Sequence, residues 1–202
     1  MENMSMVPHY LDGRKGANTN SDFTEVDSMG TNMMRYGYYR MLKQMPKVAV
    51  ITGENNPSAR KWAEREHVDA LYMNAKRKEK ALQHFCDKQG ITPSEVAFFY
   101  DDILDIPVAE QTGLRFAVGR LANPLFIEYV EQNHLADYVS AAQGNEHAVR
   151  EFSELVLALL DQHFAVIKSR AAYDADYQEY IEKRQQNESR FFAFNGTDFD
   201  QE

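Results

Sequence analysis

Short apolar runs alternate with helical segments along most of this chain, and that alternation limits the possible folds more than any other feature. Lys47-Val-Ala-Val-Ile51, Asp69–Met73, Val96-Ala-Phe-Phe-Tyr100, Leu114-Arg-Phe-Ala-Val118 and Asp137-Tyr-Val-Ser140 read as strands. Between them, Pro57–Glu66 reads as a helix with Asn56 as N-cap and Pro57 at its first position. Lys76–Gln89 is a second, stopped by Gly90. A short helix is expected around Pro107–Gln111, and another opens at Asn123-Pro124. Ser28–Lys43 is a helix weakened by Gly30 and Gly37, and one long helix is expected from about Glu146 to Lys168. Near the start, Met6–Leu11 could be a strand and Asp12–Asp22 a loop.

Such alternation implies an α/β fold: a parallel sheet between two layers of helices. Ligands in such sheets lie beyond the carboxyl ends of the strands. The ends to inspect are therefore Thr52-Gly53, Asn74-Ala75 and Tyr100-Asp101-Asp102. The pattern divides the chain into an α/β domain at 1–168 and a helical, aromatic tail at 169–202. In the tail, Tyr173, Tyr177, Tyr180 and Ile181 recur at helical spacing, and Phe191-Phe-Ala-Phe194 and Phe199 are too apolar for a solvated end.

Composition narrows the partners. The 202 residues sum to a net charge of −9, which argues against nucleic acid or an anionic membrane as main partner. One cysteine, Cys86, allows no intramolecular disulfide. No apolar run approaches a membrane span, and the first residues lack a signal-peptide pattern, so the expected compartment is the cytoplasm. No nucleophile elbow, phosphate-binding P-loop or dinucleotide fingerprint is present, and the six histidines form no metal-ligand pair at helical spacing.

Three features carry chemistry. Asp101, Asp102 and Asp105 directly follow a strand. Clustered carboxylates repel, so they need a cation or basic neighbours, and hard oxygen ligands suit Mg²⁺. Equally, Asp102 or Asp105 could simply cap the next helix. Thr52-Gly53 could present a hydroxyl and backbone N–H groups to a phosphate, or form a plain turn. Lys78 lies among Lys76, Arg77 and Lys80, the composition of a solvated helix face.

Their order, Thr then Lys then Asp-Asp, resembles motifs II, III and IV of the haloacid dehalogenase (HAD) superfamily. Further segments resemble its small, capless 3-deoxy-D-manno-octulosonate 8-phosphate (KDO 8-phosphate) phosphatase branch: Val50-Ile-Thr-Gly53, Leu71-Tyr72 with Lys78, Val96 to Val108, Gly113-Leu, Ala117-Val118, Ala122-Asn-Pro124, Asp137-Tyr-Val139, and Gly144 with Ala148-Val-Arg-Glu151. Phe23, Asp27 and Gly30 fit the branch's Phe-x-x-x-Asp-x-x-Gly segment. The resemblance implies a Rossmann-like three-layer sandwich without a cap domain, a Mg²⁺ cofactor and a phosphorylated small molecule as substrate. It also implies a homotetramer in which a β-hairpin flap helps a neighbour close each site. Thr52 and Gly53 would hold the phosphoryl group, Lys78 would neutralise it, and Asp101 would bind Mg²⁺ with Asp102 beside it.

The sequence departs from the branch at motif I, which should read Asp-x-Asp-Gly. One alignment of Leu11-Asp12-Gly13 keeps Asp12 as the general acid and base but puts Tyr10 at the nucleophile. The other aligns Asp12-Gly13 with the flap and leaves Ser5-Met-Val-Pro8 over the motif. Tyr100 replaces a glycine and is expected to crowd the site. Glu54 stands in place of an arginine, Arg77 in place of an aspartate, and Asn145 and His147 in place of glycines. The sequence reading is therefore a HAD-fold binding or oligomeric module with little phosphatase activity. Its alternative is a working Mg²⁺-dependent phosphomonoesterase with an altered motif I.

Overall fold

A computed structural model describes residues 5–7 and 24–202. The strands are β1 (Ser5–Val7), β2 (Ala49–Ile51), β3 (Ala70–Met73), β4 (Val96–Tyr100), β5 (Leu114–Ala117), β6 (Tyr138–Val139), β7 (Arg190–Phe194) and β8 (Phe199–Gln201). The helices are α1 (Glu25–Leu42), α2 (Pro57–Glu66), α3 (Lys78–Gln89), α4 (Ile106–Ala109), α5 (Pro124–Gln132), α6 (Ala148–Leu159), α7 (His163–Ala172) and α8 (Ala175–Gln185). The strands bond in the orders β1-β4-β5-β6 and β2-β3-β7-β8. The two sheets adjoin where β1 runs alongside β2. Every ladder is parallel except β7 with β8. All the parallel strands therefore end on one edge, which carries Thr52, Asn74 and Asp101.

The strand cores are continuous apolar runs because both faces of the sheet are covered. Along β4, Ala97 and Phe99 enter one buried cluster, with Phe116 and Phe152. Val96, Phe98 and Tyr100 enter the other, with Leu82, Phe85 and Val130. Local chemistry sets the helix ends. Asn56 accepts from the Ser58 and Ala59 N–H groups, at 3.1 Å each, and Pro57 opens α2. Gly90 closes α3 at φ +68°.

The two glycines that weaken α1 as an isolated helix are what let it pack. A Cβ on Gly37 would lie 2.3 Å from Leu157 Cδ2, and one on Gly30 would lie 2.9 Å from Arg150 Cα. Both neighbours belong to α6. Beside Gly30, buried Asp27 accepts the Arg150 N–H at 3.1 Å, at the positive end of α6. Asp27 and Gly30 thus grip the Ala148-Val-Arg-Glu151 segment at Arg150.

The single long helix expected from Glu146 to Lys168 is instead two. It breaks at Leu160–Gln162, where Asp161 takes a left-handed φ of +54°, a conformation Asp tolerates better than most residues. The break turns Val166 of α7 onto Tyr36 of α1. The tyrosine stripe is covered by its own chain: Tyr177 and Tyr180 each lie 5.1 Å from the Tyr36 ring, while Tyr173 stays exposed. The terminal phenylalanines form strands. Phe192 stacks on Tyr72 at 5.0 Å, and Phe199 meets the same ring edge-on at 5.0 Å. Tail residues therefore complete the sheet beside β3.

On the opposite flank, Arg115 ties β5 to the start of β6. Its guanidinium and its backbone N–H both donate to Asp137, and the guanidinium holds the Asp137 carboxyl below the usual carboxylate range. A depressed carboxyl contributes stability above its unfolded pKa of about 4 and loses it as pH falls through the folded value. We expect Asp137→Asn to cost about 1 kcal/mol at pH 7, because the pair is part exposed. The difference from wild type should shrink as pH falls from about 4 through the depressed range of the folded carboxyl, as read by denaturant unfolding. A difference independent of pH would show that packing, not charge, holds this flank.

Candidate functional site

Lys78 and Asp105 meet inside the protein at the carboxyl edge of the sheet. The Lys78 ammonium donates to Asp105 Oδ1 at 2.5 Å. Asp105 is wholly buried and Lys78 is 5% exposed. Local backbone positions both. Lys78 is the first residue of α3, directly after the turn that follows β3. Asp105 closes a short 3₁₀ turn after β4, where its other oxygen accepts the Asp102 N–H at 3.3 Å. The Asp102 side chain returns a cap to Ile103 N–H at 2.7 Å. The acidic cluster therefore divides its work: Asp102 caps, Asp105 pairs with Lys78, and Asp101 remains at the strand end.

Asp101 is nearly buried, and one of its oxygens accepts a charge-assisted bond from the guanidinium of Arg120. Arg120 follows β5, the strand next to β4. Thr52 links the third position to the same edge. Its N–H donates to Tyr72 O at 2.8 Å, and its carbonyl accepts Ala75 N–H at 3.0 Å. That fixes the end of β2 against the turn leading into Lys78. The Thr52 hydroxyl bonds to Glu54 O at 3.3 Å, and among the described residues a Cβ on Gly53 would meet nothing within 4 Å. Backbone around Thr52-Gly53 is thus open on one side. Glu54 pairs with Lys76 at 3.4 Å on the surface.

The expected crowding by Tyr100 does not occur. Tyr100 shares a face of β4 with Phe98, stacks on it at 5.5 Å, and donates its hydroxyl to Leu135 O at 2.9 Å. The period-two alternation of a strand sends that ring into the core, not toward Asp101. His147 replaces a glycine at a position with φ +70° and puts Nδ1 3.1 Å from Thr24 Oγ1. The acid/base candidate, Asp12, lies outside the described residues, as do Tyr10 and the rest of the motif I segment apart from Ser5–Val7. Cys86 is buried, with its thiol pushed up to about 11, so it is no nucleophile at neutral pH.

Arg120 is the residue the sequence reading missed. The strand-end rule could have found it, since Gly119-Arg120 sits just past β5. Together the edge presents two cations, Lys78 and Arg120, against Asp101 and Asp105. Among the described residues no three acidic, histidine or cysteine side chains gather as a metal cage. Mg²⁺ asks less than a cage: one or two carboxylates, with water and phosphate oxygens for the rest. Asp101 meets that demand.

No family model matches the chain. In sequence it is 34% identical over 122 residues to the KDO 8-phosphate phosphatase KdsC of Escherichia coli K12, spanning 60% of this chain and 61% of that protein. It is 26% identical over 111 residues to KdsC of Haemophilus influenzae, spanning 55% and 58%. The chain thus matches about three fifths of the length of these relatives. Among solved structures it is similar to the KDO 8-phosphate phosphatase of Yersinia pestis, with a TM-score of 0.62, 27% identity, and 79% and 82% of the two chains covered. This chain has the HAD fold. A second structure of that fold is the Moraxella catarrhalis phosphatase, in complex with magnesium, phosphate and KDO. It superposes with a TM-score of 0.66 at 21% identity, covering 84% of this chain and 92% of that one. Among the described residues no helix is long and apolar enough to cross a membrane.

Proposed function

We propose that the protein is a Mg²⁺-dependent phosphomonoester hydrolase of the KdsC kind, acting on an acidic sugar phosphate. The observation that carries this is the buried Lys78–Asp105 pair beside Asp101, at the strand edge of a chain whose relatives are KdsC phosphatases. The reading as an inactive module draws on the motif I segment and on smaller departures such as Glu54 and Arg77, whereas Thr52, Lys78 and Asp101 all stand at the strand edge. The sequence relatives favour activity.

Asp101 would hold Mg²⁺, with Asp102 adding negative potential beside it. When bound, the ion supplies charge neutralisation for phosphoryl oxygens. The remaining roles belong to the chain. Thr52 and the open Gly53 backbone bind the phosphoryl group. Lys78, held in one place by Asp105, offsets the charge on the phosphoryl oxygens without having to reorganise. Water forms the new P–O bond as the bond to the sugar oxygen breaks, and Asp12 gives its proton to the departing oxygen and takes one back from the attacking water. Purified protein should release phosphate from KDO 8-phosphate only when Mg²⁺ is present. No release across a panel of acidic sugar phosphates would return the chain to the inactive reading.

We also propose a homo-oligomer, a tetramer if the branch assembly is kept. Ile103 and Leu104 after β4, and Leu121 and Leu125 after β5, are all at least 65% exposed. Isolated exposed aliphatic residues are ordinary, but four on two adjacent strand-end segments fit a subunit contact. Light scattering at micromolar concentration should give a multiple of the chain mass. A monomer would reject this.

A further inference from the structure

We propose that Arg120 is a competing counter-ion for Asp101, holding that carboxylate while no metal is bound and serving as an anion-binding residue once a divalent cation takes Asp101. The proposal rests on Asp101 being the metal ligand, as set out above. Nothing in the order of motifs along the chain calls for an arginine here; the geometry alone brings it in.

The backbone before Arg120 is locked. A Cβ on Gly119 would fall 2.4 Å from Ser140 O, and the Gly119 N–H donates to Ser140 Oγ at 3.0 Å. Just after it, Leu121 N–H donates to Gln143 Oε1 at 3.3 Å. The side chain is therefore launched from a fixed point toward the end of the neighbouring strand. Its charge meets Asp101 at the end of β4.

A guanidinium and a divalent cation cannot both sit on one carboxylate without strong mutual repulsion. Metal uptake at Asp101 must then proceed against Arg120, and each weakens the other's hold. The Arg120 side chain is 26% exposed, against 11% for Asp101, so the arginine has a solvent side to move into. Once it is released, its planar fork suits phosphate or carboxylate oxygens. An acidic sugar phosphate offers both, and inorganic phosphate is the simpler probe.

The test uses the full chain as wild type, Arg120→Gln, Arg120→Lys and Asp101→Asn. Mg²⁺ is titrated by calorimetry into each, then inorganic phosphate at saturating Mg²⁺. Arg120→Gln should bind Mg²⁺ roughly tenfold more tightly, since a competing unit charge is gone, and bind phosphate roughly tenfold more weakly. Arg120→Lys should stay near wild type in Mg²⁺ affinity. Opposite changes from one substitution are not what a merely structural role produces. Unchanged or weaker Mg²⁺ binding in Arg120→Gln, or undiminished phosphate binding, overturns the proposal. If Asp101→Asn loses Mg²⁺ while Arg120→Gln behaves as wild type, only the role of Arg120 fails. If wild type takes up no Mg²⁺, or Asp101→Asn still binds it, the reading of Asp101 fails and this inference goes with it.

Discussion

Asp101→Ala should lower Mg²⁺-dependent phosphate release by at least ~10³-fold while leaving the protein folded. The expectation follows from how the acidic cluster is divided. Asp105 is committed to Lys78 and Asp102 to the Ile103 cap, so neither can take over a ligand role without breaking a bond it already makes. Asp101 is tied to Arg120, whose side chain is part exposed. Losing that pair should cost little stability, on the order of 1 kcal/mol. Activity and stability should therefore separate in this variant. The measurement is phosphate release across a Mg²⁺ series, beside a thermal melt. Wild-type turnover that survives the substitution would show that another group holds the metal.

Asp105→Ala should damage both quantities. It removes the carboxylate that the buried Lys78 ammonium touches, and breaking a buried pair from one side typically costs ~3–5 kcal/mol. For a chain of this size that is roughly a 10 °C fall in melting temperature. The double variant Lys78→Met with Asp105→Leu removes both charges and keeps apolar bulk. It should melt close to wild type yet release no phosphate, because an apolar pair packs where the ions did but gives the phosphoryl oxygens no cation. If the double variant stays as unstable as Asp105→Ala, packing and not charge accounts for the loss. If it stays active, Lys78 is a structural residue.

Much of the edge chemistry was legible in sequence, and the reasons are local. Thr52 and Asp101 directly follow strands, so finding the strands found them, whereas Lys78 came only with the motif order, because its neighbours Lys76, Arg77 and Lys80 read as a solvated face. The capping reading of Asp102 was also open, because Asp-x-x-Asp after a strand is a cap pattern. Arg120 was not legible in this way. Its importance comes from lying beside Asp101 across two neighbouring strands, and no periodicity in one segment reports that. Tyr100 misled for a related reason: read as a replacement for glycine it implies crowding, whereas its position on β4 relative to Phe98 sends it into the core. Gly30 and Gly37 look like defects by helix propensity, yet they are notches for a helix far along the chain. Propensity describes an isolated helix, and α1 is never isolated. The break at Asp161 was missed because the apolar pattern continues through it and only the backbone reverses.

Strand β3 has β2 on one side and β7 on the other, with Ala70 opposite Ala49 and Arg190. The second partner is encoded far downstream. During synthesis, a ribosome will have made the whole Thr52-to-Arg120 edge well before β3 gains its outer neighbour. Until then one side of β3 offers unpaired backbone groups, and Tyr72 lacks the Phe192 and Phe199 rings that enclose it. Such an edge invites pairing with another chain. A nascent or prematurely terminated copy that stops short of Arg190 is thus a species for chaperones to hold, and crowded polysomes are where it would first pair wrongly.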